Sequence, residues 1–132
     1  MNIGLMAHDS KKELIINFCI AYKTILARHN LYATGTTGQM LEDNVGLKIV
    51  KFLPGHLGGG RQMGAQIELN QIDAVIFLRD PVGATGDDQS DFQRIEQIAD
   101  VMNIPIATSL AAAEILILGI DRGNLDWRNL YK

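Results

Sequence analysis

The run Asp73-Ala74-Val75-Ile76-Phe77-Leu78, followed at once by Arg79-Asp80-Pro81, decides how the rest of this chain is read. It is unbroken apolar sequence of strand length, rich in β-branched and aromatic residues and closed by a turn signal. Such a segment suits a central strand of a parallel sheet, buried on both faces. Reading forward, a polar loop spans Arg79 to Ser90, and Asp91 caps a helix reaching about Met102. Ile104 to Thr108 then forms a strand and Leu110 to Ile120 a last helix. The tail from Asp121 to Lys132, which carries the only tryptophan, is a turn and a short surface segment. Reading backward, the glycine-rich stretch Pro54 to Gly60 leads into a helix with Met63, Ile67 and Leu69 on its inner face. Leu47 to Phe52 is a strand, Gly38 to Asp43 a helical turn or two, and Leu31 to Thr34 another strand. Ser10 to about Arg28 is a helix with Ser10 as N-cap and Leu14, Phe18, Ala21, Tyr22, Ile25 and Leu26 at helical spacing. Asn2 to Ala7 is a short buried strand.

Strands alternating with helices in this way predict an α/β fold: a single domain over residues 1–132, with an open parallel five-stranded sheet covered by helices on both faces. A length of 132 residues gives room for one ordinary core. With 47% apolar and 20% charged residues the composition is that of a soluble globular domain rather than a disordered chain. Twelve basic against fifteen acidic residues, net −3, speak against nucleic acid as a partner. No apolar run is long enough to cross a bilayer, and Met1-Asn-Ile-Gly-Leu-Met-Ala7 lacks the basic and apolar segments of a secretion signal, so a cytoplasmic location is expected. The single cysteine, Cys19, excludes an internal disulfide. His8, His29 and His56 are too scattered for a zinc signature.

In an open parallel sheet ligands bind beyond the carboxyl ends of the strands. Those ends carry His8-Asp9, Thr34-Gly35-Thr36-Thr37-Gly38, Pro54-Gly55-His56, Arg79-Asp80-Pro81 and Thr108-Ser109. Polar, acidic and glycine residues far apart in sequence thus converge on one edge. The Thr34–Gly38 segment offers hydroxyls and backbone N–H groups at a helix start, a setting that suits an anion, and Lys12 can add a full positive charge. The same residues would equally serve as a tight turn and an N-cap. Neither a P-loop nor a dinucleotide fingerprint is present, so a small phosphate ester fits better than a nucleotide. Asp9 and Asp80, at strand ends, are candidates for proton transfer or for helix capping and a turn. His8 either donates to a substrate oxygen or sits satisfied beside the sheet.

Ala7-His8-Asp9 with Lys12, then Leu31-Tyr-Ala-Thr-Gly-Thr-Thr-Gly38, then Asp80-Pro81 after an apolar strand, resemble methylglyoxal synthase. The likeness runs through Ile104-Pro-Ile-Ala-Thr108 and the final helix. It implies flavodoxin-like layering, a homohexamer, and a lyase working without metal or organic cofactor. Such a lyase takes a proton from the hydroxymethyl carbon of dihydroxyacetone phosphate and eliminates inorganic phosphate, leaving methylglyoxal. By position, the resemblance puts the phosphate grip on Lys12, Thr34, Gly35, Thr36, Thr37 and Gly55. It puts the substrate-facing histidine on His8 and active-site carboxylates on Asp9, Asp80 and Asp91. A related fold serves as an effector-binding domain in carbamoyl phosphate synthetase, so binding without chemistry has precedent.

The departures fall on the same site. Where the family reads Ser-Gly-Pro-x-Gly-Gly-Asp, its aspartate being the general base, this chain reads Pro54-Gly-His-Leu-Gly-Gly-Gly60. The base position is therefore Gly60, and Pro54 stands where a serine holds phosphate. A family loop histidine gives way to Gly86-Asp-Asp-Gln-Ser-Asp91, one residue longer. His56 and Asp87, with its neighbour Asp88, are the candidate replacements, unless they form only a surface turn. Losing a positioned base costs about 10²–10⁴-fold in rate. The expectation is therefore weak or absent family activity. The competing readings are a non-catalytic sensor of phosphate esters and a lyase for a different phosphate ester.

Overall fold

The computed structural model describes residues 1–132. Its strands are β1 (Asn2–Ala7), β2 (Asn30–Ala33), β3 (Ile49–Lys51), β4 (Ala74–Leu78) and β5 (Ile106–Ala107). They form one sheet in the order β3-β2-β1-β4-β5, with every pairing parallel. The helices are α1 (Lys12–Ala21), α2 (Lys23–Leu26), α3 (Gly35–Val45), α4 (Gly59–Glu68), α5 (Gly86–Val101) and α6 (Leu110–Asp121). The predicted fold class is the one observed.

Strand alternation sorts the core into two layers. Ile3, Leu5 and Ala7 of β1, with Ala74, Ile76 and Leu78 of β4, face α1, α2, α3 and α6 through Ile15, Phe18, Leu26, Leu41, Ala113 and Ile117. Met6, Val75 and Phe77 face the other way, against Met63 and Ile67 of α4 and Phe92, Ile95 and Ala99 of α5. Gly4 points to this second face because a Cβ there would stand 2.9 Å from the Met63 sulfur. Connections from β1 run toward β3, whereas those from β4 run toward β5, so the chain reverses direction between β1 and β4. A crevice opens at such a reversal, beyond the strands' carboxyl ends. Ala7 is in register with Leu78, and the His8 N–H donates to the Leu78 carbonyl at 3.1 Å.

Several boundaries differ from expectation. The Ser10–Arg28 helix begins as a 3₁₀ turn over Asp9–Lys11 and breaks at Tyr22, between α1 and α2. Ser10 is no N-cap, because its hydroxyl donates instead to Asp80 Oδ2 at 2.8 Å. The turn expected at Gly38–Asp43 is a full helix, α3. The loop after β4 is shorter than predicted: α5 starts at Gly86 behind an N-cap at Thr85, and Asp91 lies inside it. Asp87 and Asp88 favour that early start, since acidic side chains complement the amino end of a helix dipole. Leu69 lies past the end of α4 and is exposed, not on its inner face. The tail is not purely superficial: Arg128, in a 3₁₀ turn over Asp126–Tyr131, is buried. No helix is long and apolar enough to cross a membrane.

Candidate active site

Beyond the carboxyl ends of the strands lies a cavity of about 690 Å³. The end of β1 contributes Met6, Ala7, His8 and Asp9, with Lys12 from α1. Thr34 and Thr36 come from the β2–α3 junction, and Gly55, His56, Gly58, Gly60 and Arg61 from the β3–α4 segment. Phe77 of β4 forms part of the wall, and Thr85, Asp87, Asp88 and Asp91 close it from the α5 side. Most residues singled out from sequence are therefore brought together. Asp80, Gly35 and Thr37 are not among the lining residues.

Lys12 is half-buried at the bottom of this site. Its ammonium donates to the Ala7 carbonyl and to Thr37 Oγ1, both at 2.6 Å. Burial lowers its pKa below the ordinary lysine value, and the nearby Asp9 and Asp88 only partly counter this. The third N–H remains for a ligand, and an anion arriving there would compensate the desolvated charge. Thr37 thus orients the lysine from behind. Gly35 also plays a supporting part, because its N–H donates to the Leu53 carbonyl at 3.0 Å. At the start of α3 the Thr34 side chain makes no capping bond. The Thr36 and Thr37 N–H groups are thereby left as the unpaired donors of a helix start, the feature that binds phosphates.

His8 is buried, its ring in a T-shaped contact with Phe77 at a centroid distance of 5.1 Å. Its Nδ1 accepts the Asp80 backbone N–H at 2.8 Å, so in the neutral ring the hydrogen lies on Nε2. Nε2–H donates to the Asp88 carbonyl at 3.2 Å. The Asp80 carboxylate is occupied within its own turn. Oδ1 accepts the N–H groups of Val82 at 3.1 Å and Gly83 at 2.7 Å, and Oδ2 accepts the Ser10 hydroxyl. These bonds, the Gly83 one foremost, hold its pKa down at about 2. A carboxylate so stabilised is a poor proton acceptor.

The glycine segment is shaped by close approach. A Cβ on Gly59 would overlap the Leu53 carbonyl oxygen, and Gly58 adopts φ +105°. Gly60 differs, because its backbone tolerates a side chain. A Cβ there would stand 3.3 Å from Asp91 Oδ2 and 3.7 Å from an Arg94 guanidinium nitrogen. Asp91, half-buried and 3.4 Å from Arg94 through Oδ1, therefore faces the cavity wall that Gly60 leaves bare. Asp9, Asp87, Asp88 and His56 line the cavity as exposed residues. Arg61, Thr85 and Arg94 were missed in the sequence. Arg61 directly follows the glycine segment and Thr85 precedes the acidic helix start, so both were findable by position, whereas Arg94 enters only through Asp91. No three His, Cys, Asp or Glu side chains gather closely enough to hold a metal ion.

An open parallel α/β domain whose strand reversal gathers a lysine, unpaired helix-start N–H groups, an oriented imidazole and a carboxylate has the make-up of a small-anion site. Comparison with known proteins narrows this. Residues 14–108 match the family model for the MGS-like domain. Methylglyoxal synthase of Caldicellulosiruptor saccharolyticus is 54% identical over 130 residues, 98% of this chain and 92% of the relative. That of Thermoanaerobacterium thermosaccharolyticum is 52% identical over 132 residues, 100% of this chain and 98% of the relative. The crystal structure of methylglyoxal synthase from Elizabethkingia anophelis superposes with a TM-score of 0.83 at 38% identity, covering 88% of this chain and 76% of that one. The chain belongs to the methylglyoxal synthase family, a family of lyases acting on phosphate esters.

Proposed function

We propose that this protein eliminates phosphate from a triose phosphate, with dihydroxyacetone phosphate as substrate and methylglyoxal as product. The observation carrying this reading is the placement of Lys12, Thr34 and Thr36 in one cavity with His8 and Asp91. Lys12, the threonine hydroxyls and the first N–H groups of α3 hold the phosphate. His8 Nε2–H turns from the Asp88 carbonyl to the substrate's ketone oxygen. Asp91 accepts a proton from the hydroxymethyl carbon, and the electron pair moves into an enediolate whose oxygen the imidazole stabilises. The hydroxyl on the deprotonated carbon then gives up its proton as its oxygen becomes the aldehyde, the carbon–oxygen bond to phosphate breaks, and phosphate departs with the pair. The enolate left behind takes a proton on its methylene carbon to become methylglyoxal. Asp91 is the acceptor in this scheme because Gly60, at the family's base position, carries no side chain. A displaced base implies turnover slower than in relatives that keep the aspartate.

Release of inorganic phosphate from dihydroxyacetone phosphate tests the proposal. The unmodified protein should exceed the uncatalysed rate, and Asp91→Asn should lower it about 10²–10⁴-fold. Gly60→Asp would set a second carboxylate against Asp91, whose Oδ2 stands 3.3 Å from the Cβ position. Like charges so close raise the pKa of one of them, so the activity of this variant should rise toward higher pH. The bare Gly60 also favours a second reading, a sensor that binds the ester without turning it over. Saturable binding weakened by Thr36→Ala, with no phosphate released, would select it. We include a cytoplasmic location and a homohexamer in the proposal. Ile115 and Leu118 of α6, with Trp127 and Tyr131 of the tail, offer outward apolar surface for assembly, and light scattering on the purified protein gives the copy number.

A further inference from the structure

We propose that Asp80 is a positioning residue, whose carboxylate folds the turn after β4 so that its own backbone N–H fixes His8 as an Nε2–H donor. The inference rests on the reaction proposed above for its catalytic consequence, but not for its structural one. Three donors converge on the carboxylate: the N–H groups of Val82 and Gly83 and the Ser10 hydroxyl. The first two close the turn on its own first residue. The third ties that turn to the segment just after His8. Between these anchors the Asp80 N–H has one acceptor, His8 Nδ1, at 2.8 Å. The Nδ1 lone pair is thereby occupied, and the ring hydrogen is left on Nε2, the nitrogen bonded to the Asp88 carbonyl. Phe77 makes a T-shaped contact with the ring, so its plane is restrained as well.

An imidazole set in this way can stabilise charge on a ketone oxygen but cannot use its bound nitrogen as a base. Proton abstraction therefore falls to a carboxylate that does line the cavity, and Asp80 does not. Its role would be invisible to any assay that simply asks whether the aspartate is needed. Comparing the amide with the alanine variant separates the two roles. Asp80→Asn keeps a side-chain oxygen able to accept from the turn, whereas Asp80→Ala keeps none, and neither variant can accept a proton from carbon.

The experiment is ¹⁵N NMR of histidine-labelled protein, with His8 assigned through His8→Gln, alongside phosphate release. The unmodified protein should show His8 hydrogenated on Nε2. Asp80→Ala should move His8 to a mixture of tautomers and lower kcat about 10²-fold, the size of effect expected for one oriented oxyanion donor, with KM little changed. Asp80→Asn should keep the Nε2–H tautomer and stay within about tenfold of the unmodified kcat, below the factor for a lost general base. Ser10→Ala, which removes only one of the three bonds, should shift the tautomer balance partially and serves if the alanine variant fails to fold. An Nδ1–H tautomer in the unmodified protein, an unchanged tautomer in Asp80→Ala, or Asp80→Asn as inactive as Asp80→Ala would each overturn the proposal. Absence of phosphate release in every form would refute the proposed reaction instead, while the tautomer readout would still decide the role of Asp80.

Discussion

The two ends of the parallel sheet both collect charged side chains, and they use them in opposite ways. At the amino end, Asp73 stands just before β4 with no exposed side-chain surface. Its carboxylate accepts the Asn2 N–H at 2.7 Å, Arg128 Nε at 3.0 Å and Lys132 Nζ at 2.8 Å. Arg128 also donates to Asn70 Oδ1 at 2.7 Å. This charge cluster is densely cross-bonded, and the residues it joins come from both ends of the chain. At the carboxyl end, Lys12 keeps one N–H open, the first turn of α3 keeps its N–H groups, and four aspartates line a cavity instead of pairing across it. Closure makes a structural lock at one end; at the other, openness leaves the cavity in which the phosphate ester is proposed to bind.

The largest effect should come from opening the closed end. Arg128→Met leaves Asp73 buried with fewer partners, and breaking a buried pair in this way costs about 3–5 kcal/mol. Urea unfolding should show that loss, while phosphate-ester affinity of the folded protein stays unchanged. Lys12→Met should act on both counts. It removes a partly desolvated cation together with its bonds to Ala7 and Thr37, so unfolding stability should fall by about 1–2 kcal/mol, short of the Arg128 loss, while ester affinity falls at least tenfold, the equivalent of about 1.4 kcal/mol.

Within the open end, Gly59 and Gly60 sharpen the comparison further. Gly59→Ala cannot be accommodated against the Leu53 carbonyl and should destabilise the fold and distort the cavity. Gly60→Ala meets only the end of the Asp91 side chain, at 3.3 Å, which must give by a few tenths of an ångström, so it should fold and bind the ester within a few-fold of the unmodified protein. Unfolding curves and binding titrations on the pair would separate glycine needed for shape from glycine that only vacates space.

Acid gives the smallest and most graded effect. Burial alone would raise the Asp73 carboxyl, but the bonds from Asn2, Lys132 and Arg128 outweigh it and the pKa lies below the ordinary value. Asp80 is held down as well, at about 2. A carboxyl depressed by folding binds its proton more readily when unfolded, so its stabilisation is complete above the unfolded pKa of about 3.9 and disappears as pH falls through the folded value. Stability should therefore decline as pH drops from about 4 toward 2, and Asp73→Asn should flatten the part of that slope due to the closed end.

The sheet was legible because parallel strands carry their own signal: Ala74–Leu78 is apolar throughout, and every strand end changes abruptly to polar residues or glycine. The cavity was legible for the same reason, since strand ends of a parallel sheet share one edge. Side-chain destinations were not. Arg128 and Asp73 are 55 residues apart, and nothing local marks either as buried. Ser10 has the composition of an N-cap, yet a carboxylate seventy residues away competes for its hydroxyl. Asp80 sits where a catalytic carboxylate would, and only its three hydrogen bonds reveal that the carboxylate is engaged by its own turn and Ser10. The start of α5 was misjudged because Gly86-Asp-Asp reads as a loop, although acidic residues there favour the helix.

The most direct test of an end left open for a phosphate group is calorimetric titration of inorganic phosphate, which the protein does not turn over, into the unmodified protein and into Lys12→Met. Saturable binding at one site per chain, weakened at least tenfold by the substitution, is the predicted result. No saturable binding to the unmodified protein, or equal affinity in the two, would contradict it.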